Sequence, residues 1–186
     1  MHGACVLLSE VIKITADYID EKSLDNVLSA LMPQNRLIIE ICIATGLRIG
    51  DVLRMPAGIK QRGTIREEKT GKSRSYYIPK DLFERVNAQK GLYFLFPGAR
   101  DEKKHKTRQA VWYDIKRAQK LFRMPENIGT HTARKIYAVA EYNKHGDIQR
   151  VKEKLNHESE SVTLIYIMAD LLTQKKIAHR KGGRKK

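Results

Sequence analysis

His131 and Arg134 stand three residues apart, His157 follows, and Tyr166 lies nine residues further on inside an apolar run. A histidine and an arginine at i and i+3 lie on the same helix face, so both can point at one anion. A downstream tyrosine offers a phenolic oxygen able to attack that anion. Residues of these types in this order point to phosphoryl transfer through a tyrosine nucleophile.

Composition agrees with a partner that is a polyanion. The chain carries 36 Lys+Arg against 21 Asp+Glu, a formal charge of +15 and a pI of about 9.9, the electrostatic footprint of a DNA- or RNA-binding protein. A merely basic or ribosomal protein would share that charge, so charge alone does not decide. With 186 residues the chain can bury one substantial core but hardly two. Its two cysteines, Cys5 and Cys42, suit a reduced, intracellular protein without a disulfide framework. No window approaches the roughly 20 apolar residues of a membrane span, and the N-terminus lacks the pattern of a signal peptide. A cytoplasmic site of work is expected.

The elements that must position these residues read as mostly helical with one small sheet. Asp17 to Met32 mixes apolar and charged residues at helical spacing, and Asn35 to Ala44 is a strongly apolar helix that Gly46 ends. A second helix spans Leu47 to Met55 and is stopped by Pro56. Strands are expected at Thr64 to Glu68 and Ser73 to Ile78, around Lys69-Thr70-Gly71-Lys72. Asp81 to Ala88 and Gln109 to Phe122 read as helices, with a basic loop from Arg100 to Arg108 between them. Thr130 is placed as the N-cap of a helix reaching Lys144 and closed by Gly146, Asp147 as the cap of a helix ending near Leu155, and a last pair of short helices between Ser161 and Ala178.

Four segments now combine. Ala44-Thr45-Gly46-Leu47-Arg48 closely resembles the TGLR helix junction of the tyrosine recombinases, the phage-integrase family. His131-Thr132-Ala133-Arg134 resembles that family's H-x-x-R box, Leu155-Asn156-His157 is similar to its L-G-H turn, and Tyr166 follows at the family's distance. The resemblance covers about Asn35 to Ile167. Asn156 stands where the family has glycine, and asparagine is the next most tolerant of a left-handed backbone. Lys135 takes a place where a second histidine is common, a change expected to matter little. The short interval from Leu53 to Thr64 implies a truncated first strand of the small sheet.

The resemblance implies an α+β, mainly helical tyrosine-recombinase catalytic core with a small antiparallel β-sheet. Residues 1–178 are expected to form a single catalytic domain, its first 30 residues too few for the separate DNA-clamping domain of many members, with residues 179–186 as a basic tail. Arg48 and Arg134 would neutralise the phosphate, because guanidinium forks match two phosphate oxygens and stay charged. By resemblance His131 would donate to the phosphate or take the proton of Tyr166, and His157 would hold another oxygen. Lys69 matches the hairpin lysine that protonates the departing 5′-hydroxyl, with Lys72 as its fallback, and Asp51, one turn after Arg48, would orient the site from behind. The product would be a covalent 3′-phosphotyrosine, which requires no ATP, metal or other cofactor for rejoining.

Each piece has a duller reading by itself: a core tyrosine, a surface arginine, a solvated turn around Lys69. Their joint order and spacing argue otherwise. Gly71-Lys72-Ser73 ends like a P-loop, but the first glycine would fall at Arg66, so nucleotide binding is not expected; the six histidines and two cysteines show no zinc-ligand spacing. Lys72, Arg74, Lys103, Lys104, Lys106 and Arg108 are expected to meet the phosphates of double-stranded DNA. Leu171, Leu172 and Ile177 are placed as the apolar contact of a dimer or tetramer assembled on DNA. The expected activity is site-specific cutting and rejoining of DNA for integration, excision or inversion of a mobile element. The alternatives are a non-catalytic DNA-binding regulator or remnant of the same fold, and a type IB topoisomerase.

Overall fold

The computed structural model describes residues 16–157, 159–169, 173 and 177. Helix α1 (Glu21–Ala30) starts where the Asp20 carboxylate accepts from the Ser23 N–H at 2.7 Å, an N-cap of the ordinary kind. Helix α2 (Pro33–Thr45) opens on a proline whose missing N–H is one of the helix's orphans anyway. Its Ile38 and Ile41 are fully buried and Cys42 nearly so, so it runs through the centre of the main core. Burial pushes the Cys42 thiol up to about 12, which leaves it inert. Short helix α3 (Ile49–Leu53) follows at once.

Strands β1 (Arg62–Arg66) and β2 (Ser73–Tyr77) form a two-stranded antiparallel sheet with Ile65 opposite Arg74 and Gly63 opposite Tyr76. Alternation along β2 turns Arg74 and Tyr76 inward and Ser73, Ser75 and Tyr77 outward. Between α3 and β1 there is only an isolated bridge, Pro56 with Phe94, where a truncated first strand was expected. Helices α4 (Lys80–Asn87) and α5 (Arg108–Leu121) follow. Asp114 of α5, buried, accepts from the Met32 N–H and the Asn35 side chain at 2.8 Å each, tying α5 to the start of α2.

Helix α6 (Thr132–His145) begins one residue later than expected, with His131 rather than Thr130 at its N-cap position. Helix α7 (Ile148–Leu155) is capped by Asp147, as the sequence implies, and α8 (Glu160–Ile167) by Ser159. A smaller core of Ala138, Val151 and Leu155, with Tyr137, Tyr142, Tyr166 and Ile167 packed on it, joins α6, α7 and α8. Among the described residues no helix is long and apolar enough to cross a membrane.

Gly46 ends α2 at φ 65°, its N–H returning to the Cys42 carbonyl. A Cβ there would run into the Tyr137 ring. Gly46→Ala therefore meets both the left-handed penalty of about 1–2 kcal/mol and overpacking of about 1–3 kcal/mol. A loss of roughly 2–5 kcal/mol in urea unfolding is the expected outcome.

Candidate active site

The α2–α3 junction, the hairpin, the start of α6 and the α7–α8 turn converge on one place. Arg48, at the N-cap position of α3, points its guanidinium at Glu67, with Nη1 2.6 Å from Oε2. Arg134, one turn into α6 and 3 % exposed, donates to the Gly46 carbonyl at 2.6 Å and to the Leu155 carbonyl. The H-x-x-R helix is thereby fastened to both the α2–α3 junction and the end of α7. Asn156 takes the left-handed conformation there, at φ 49° and ψ 44°, as an asparagine in that place should. That reversal brings His157 back against Tyr166, ring centroids 4.9 Å apart and edge to face. The hydroxyl of the half-buried Tyr166 lies 3.3 Å from His131 Nδ1.

Burial and a surplus of positive charge set the protonation of this cluster. Desolvation, then the charges of Arg108, Arg134, Lys135 and Arg48, push His131 down to about 4. His157 falls to about 3 through desolvation, then Arg134, Arg48 and Arg74. Both imidazoles are neutral near pH 7. Burial raises Tyr166 above the ordinary tyrosine value, with Arg134 and Arg48 pulling it back, so its resting form is the neutral phenol. Arg134 is lowered to about 10, chiefly by burial and then by Arg48 and Arg74, and remains charged at neutral pH.

These shifts make the fold acid-labile. Unfolded histidine protonates near about 6.5, so below that pH the unfolded chain binds more protons than the folded one and stability falls until the folded values near 4 and 3 are passed. Glu67 acts in the same sense: its folded pKa of about 2 lies below the usual 4.5, so its stabilisation is present above pH 4.5 and lost on acidifying toward 2. Urea midpoints should decline steadily from pH 6.5 to 3, with a shallower decline in His157→Gln.

The description of the phage integrase family matches residues 17–171, most of the chain. This chain belongs to the phage integrase family. It is 33% identical over 135 residues to the probable integrase/recombinase YoeC of Bacillus subtilis, covering 69% of this chain and 74% of that protein. It is 27% identical over 151 residues to the integrase of Escherichia phage P2, covering 80% of this chain but only 42% of that protein. A crystal structure of a lambda integrase dimer bound to a COC′ core site superposes with a TM-score of 0.69 at 18% identity, over 83% of this chain and 60% of that one. The chain thus spans less than half of the P2 integrase and 60% of that lambda integrase chain, and the fold it shares with the latter is the tyrosine-recombinase catalytic core.

With the family in place, the sites expected from sequence fall into two groups. Arg48, His131, Arg134, His157 and Tyr166 meet in one cluster, each close enough for the arginine charges to act on the histidines and the tyrosine. Lys69 and Lys72 stand exposed in the turn of the β1–β2 hairpin. Asp51, buried, accepts from Arg54 at 2.7 Å and from the Glu68 N–H at 3.1 Å; its hydrogen bonds hold the hairpin to α3 rather than the Arg48 guanidinium. Lys103 and Lys104 are exposed, Lys104 beside Asp101 at 3.6 Å, and Arg108 begins α5 with its charge reaching His131.

Two of the residues expected to meet DNA face inward instead. Arg74 is 7 % exposed and donates to the carbonyls of Thr45 at 2.8 Å and Gly46 at 3.1 Å, because β2 alternation points it at the α2 terminus. Lys106 donates to Asn35 Oδ1 at 3.2 Å, in the same polar knot as Asp114. Nor is Lys135 idle. It is buried, donates to the Ala16 carbonyl, and its ammonium lies 5.9 Å from the centroid of the Tyr166 ring. Of the apolar contact residues, Leu171 and Leu172 lie outside the described residues.

Two neighbours of the cluster were invisible to motif reasoning. Thr163, fully buried on α8, has its hydroxyl 3.1 Å from His157 Nδ1. Glu67 is enclosed between Arg48 and Arg74. A signal for Glu67 existed, since the period of two places it on the inward face with Gly63 and Ile65, but the run of charges around it reads as a solvated turn.

Proposed function

We propose that this chain cuts and rejoins DNA at specific sites through a 3′-phosphotyrosine intermediate. The observation that carries the reading is the pairing of the Tyr166 hydroxyl with the neutral His131 imidazole, beside two arginines of the cluster. Tyr166 Oη attacks a backbone phosphorus and the P–O5′ bond breaks. The phenolic proton passes to His131 Nδ1, which its low pKa keeps free to accept. Arg48 and Arg134 stabilise the extra negative charge of the five-coordinate transition state. The Thr163 hydroxyl, which donates to the Ser159 carbonyl at 3.4 Å and lies 3.1 Å from His157 Nδ1, orients the imidazole that would hold another phosphate oxygen. The departing O5′ takes its proton from Lys69, carried on the hairpin turn.

Energy conserved in the phosphotyrosine ester supports rejoining by the reverse steps with a new 5′-hydroxyl. The substrate is double-stranded DNA, and Lys72, Lys103, Lys104 and Arg108 supply phosphate contacts that give salt-sensitive affinity. The dimeric lambda integrase on its core site supports assembly of two or more copies on DNA, with Ile177 on the segment after Tyr166 as part of the contact.

Covalent trapping tests this. The native chain, incubated with a nicked duplex from the ends of its own element, should give a DNA-linked band that survives denaturant. Duplex binding without any adduct would support a non-catalytic regulator, and relaxation of supercoils on any plasmid would support a type IB topoisomerase.

A further inference from the structure

Glu67 has no part in the transfer set out above, yet it is the most enclosed carboxylate among the described residues, its side chain 0 % exposed. A buried carboxylate is costly unless its oxygens are matched by donors or cations. Here each oxygen is matched. Oε2 lies 2.6 Å from Arg48 Nη1 and accepts from the Thr70 hydroxyl at 2.8 Å, and Oε1 lies 3.3 Å from Arg74 Nη1. Arg74 is itself anchored on the Thr45 and Gly46 carbonyls. The carboxylate therefore has a fixed inner partner and a partly exposed outer one, the Arg48 side chain being 19 % exposed.

The backbone of the same residue closes the turn that carries Lys69. Its N–H donates to the Lys72 carbonyl at 3.0 Å, and its carbonyl accepts from Gly71 at 2.8 Å. We propose that Glu67 is a positioning residue: it holds the Arg48 guanidinium by an ion pair at Nη1, leaving its other nitrogens for the scissile phosphate, and ties that arginine to the turn bearing Lys69. The inference rests on the phosphoryl-transfer reading of the site.

Guanidinium has five donors in a rigid fork, so one edge can be held by a carboxylate while the other meets an anion. Holding it there removes the rotamer freedom that would otherwise be lost at the transition state. The sign of the charge supplies a signature. Glu67 repels the bound phosphate, so its neutralisation should leave ground-state DNA binding unchanged or tighter while slowing the chemistry. A purely architectural carboxylate would weaken both together.

The test compares native protein with Glu67→Gln and Thr70→Val. In single-turnover trapping on the nicked duplex, Glu67→Gln should form adduct about 10- to 100-fold more slowly, with a duplex dissociation constant equal to or below the native one. Thr70→Val, which removes one donor to Oε2 at a half-exposed position but keeps the Glu67 charge, should slow adduct formation by less and leave the dissociation constant unchanged, and decides the matter if the glutamine variant does not fold. Independently of cleavage, the Arg48 Nε–H resonance of ¹⁵N-labelled protein without DNA, assigned by its loss in Arg48→Lys, should exchange with water at least about 10-fold faster in Glu67→Gln. An unchanged Arg48 resonance, or binding and cleavage falling in parallel, overturns the proposal. Absence of adduct from the native chain would defeat the phosphoryl-transfer reading instead, and the resonance would still show whether Glu67 holds Arg48.

Discussion

Tyr166→Phe should abolish the DNA-linked band completely while leaving duplex affinity within about twofold of native, because the substitution removes one oxygen and little else. No other group in the cluster can replace it. His131 and His157 are neutral at working pH, and in this cluster the tyrosine hydroxyl placed against a base is that of Tyr166, 3.3 Å from His131 Nδ1. The ring packs edge to face on His157 and under Lys135, contacts that phenylalanine keeps, so the fold should lose no more than about 1 kcal/mol for the hydrogen bond. Denaturing electrophoresis after incubation with labelled nicked duplex reads the adduct, and a gel shift reads the affinity. A phenylalanine variant that still formed the adduct would transfer the nucleophile to another residue and sink the assignment. If His131 takes the proton, the native rate should also fall as the pH drops through about 4, where its imidazole becomes charged.

Arg134→Ala should fail twice over. As a phosphate ligand, a lost fork is expected to raise the cleavage barrier by about 3 kcal/mol, a slowing of roughly 100-fold or more, by analogy with single oxyanion donors. As a buried donor it also satisfies the Leu155 carbonyl and shares the Gly46 carbonyl with Arg74. Leaving the Leu155 carbonyl without that donor, together with the cavity, should cost about 2–4 kcal/mol of stability. Arg48→Ala separates the two effects. Among the described residues its guanidinium bonds no backbone carbonyl but pairs with Glu67, so cleavage should fall comparably. The comparison is made by single-turnover trapping and urea unfolding on the same preparations. Equal stability losses in the two variants, or an active Arg134→Ala, would remove the distinction drawn between them.

The chain's short-range signals were legible in advance. Gly46 and Gly146 adopt the left-handed backbone that ends α2 and α6, Asn156 does the same at the end of α7, and Asp147 caps α7 with its side chain. Each depends only on residues within one turn, which is why residue type alone predicts it. The order and spacing of Arg48, His131, Arg134, His157 and Tyr166 were also readable, because a tertiary cluster assembled from several elements leaves fixed motifs at each. Boundaries were less so. Helix α6 starts at Thr132 and α3 covers only Ile49–Leu53, since the surrounding turns take their conformation from packing rather than from propensity.

What the sequence by itself determined is therefore the family, the mainly helical fold with its hairpin, and the five residues that must come together. Tertiary structure alone decided which charges face inward. Arg74 and Lys106 carry the same charge and similar surroundings in sequence as Lys103 or Arg108, yet Arg74 is spent on carbonyls 28 and 29 residues away and Lys106 on an amide 71 away. Glu67 and its neighbour Glu68 both follow the end of β1, yet the chain encloses Glu67 between two guanidiniums while Glu68 stays exposed in the turn. Burial of an ionic group is stabilised only by partners the fold brings from far along the chain, and no local pattern of residues records where those partners will be.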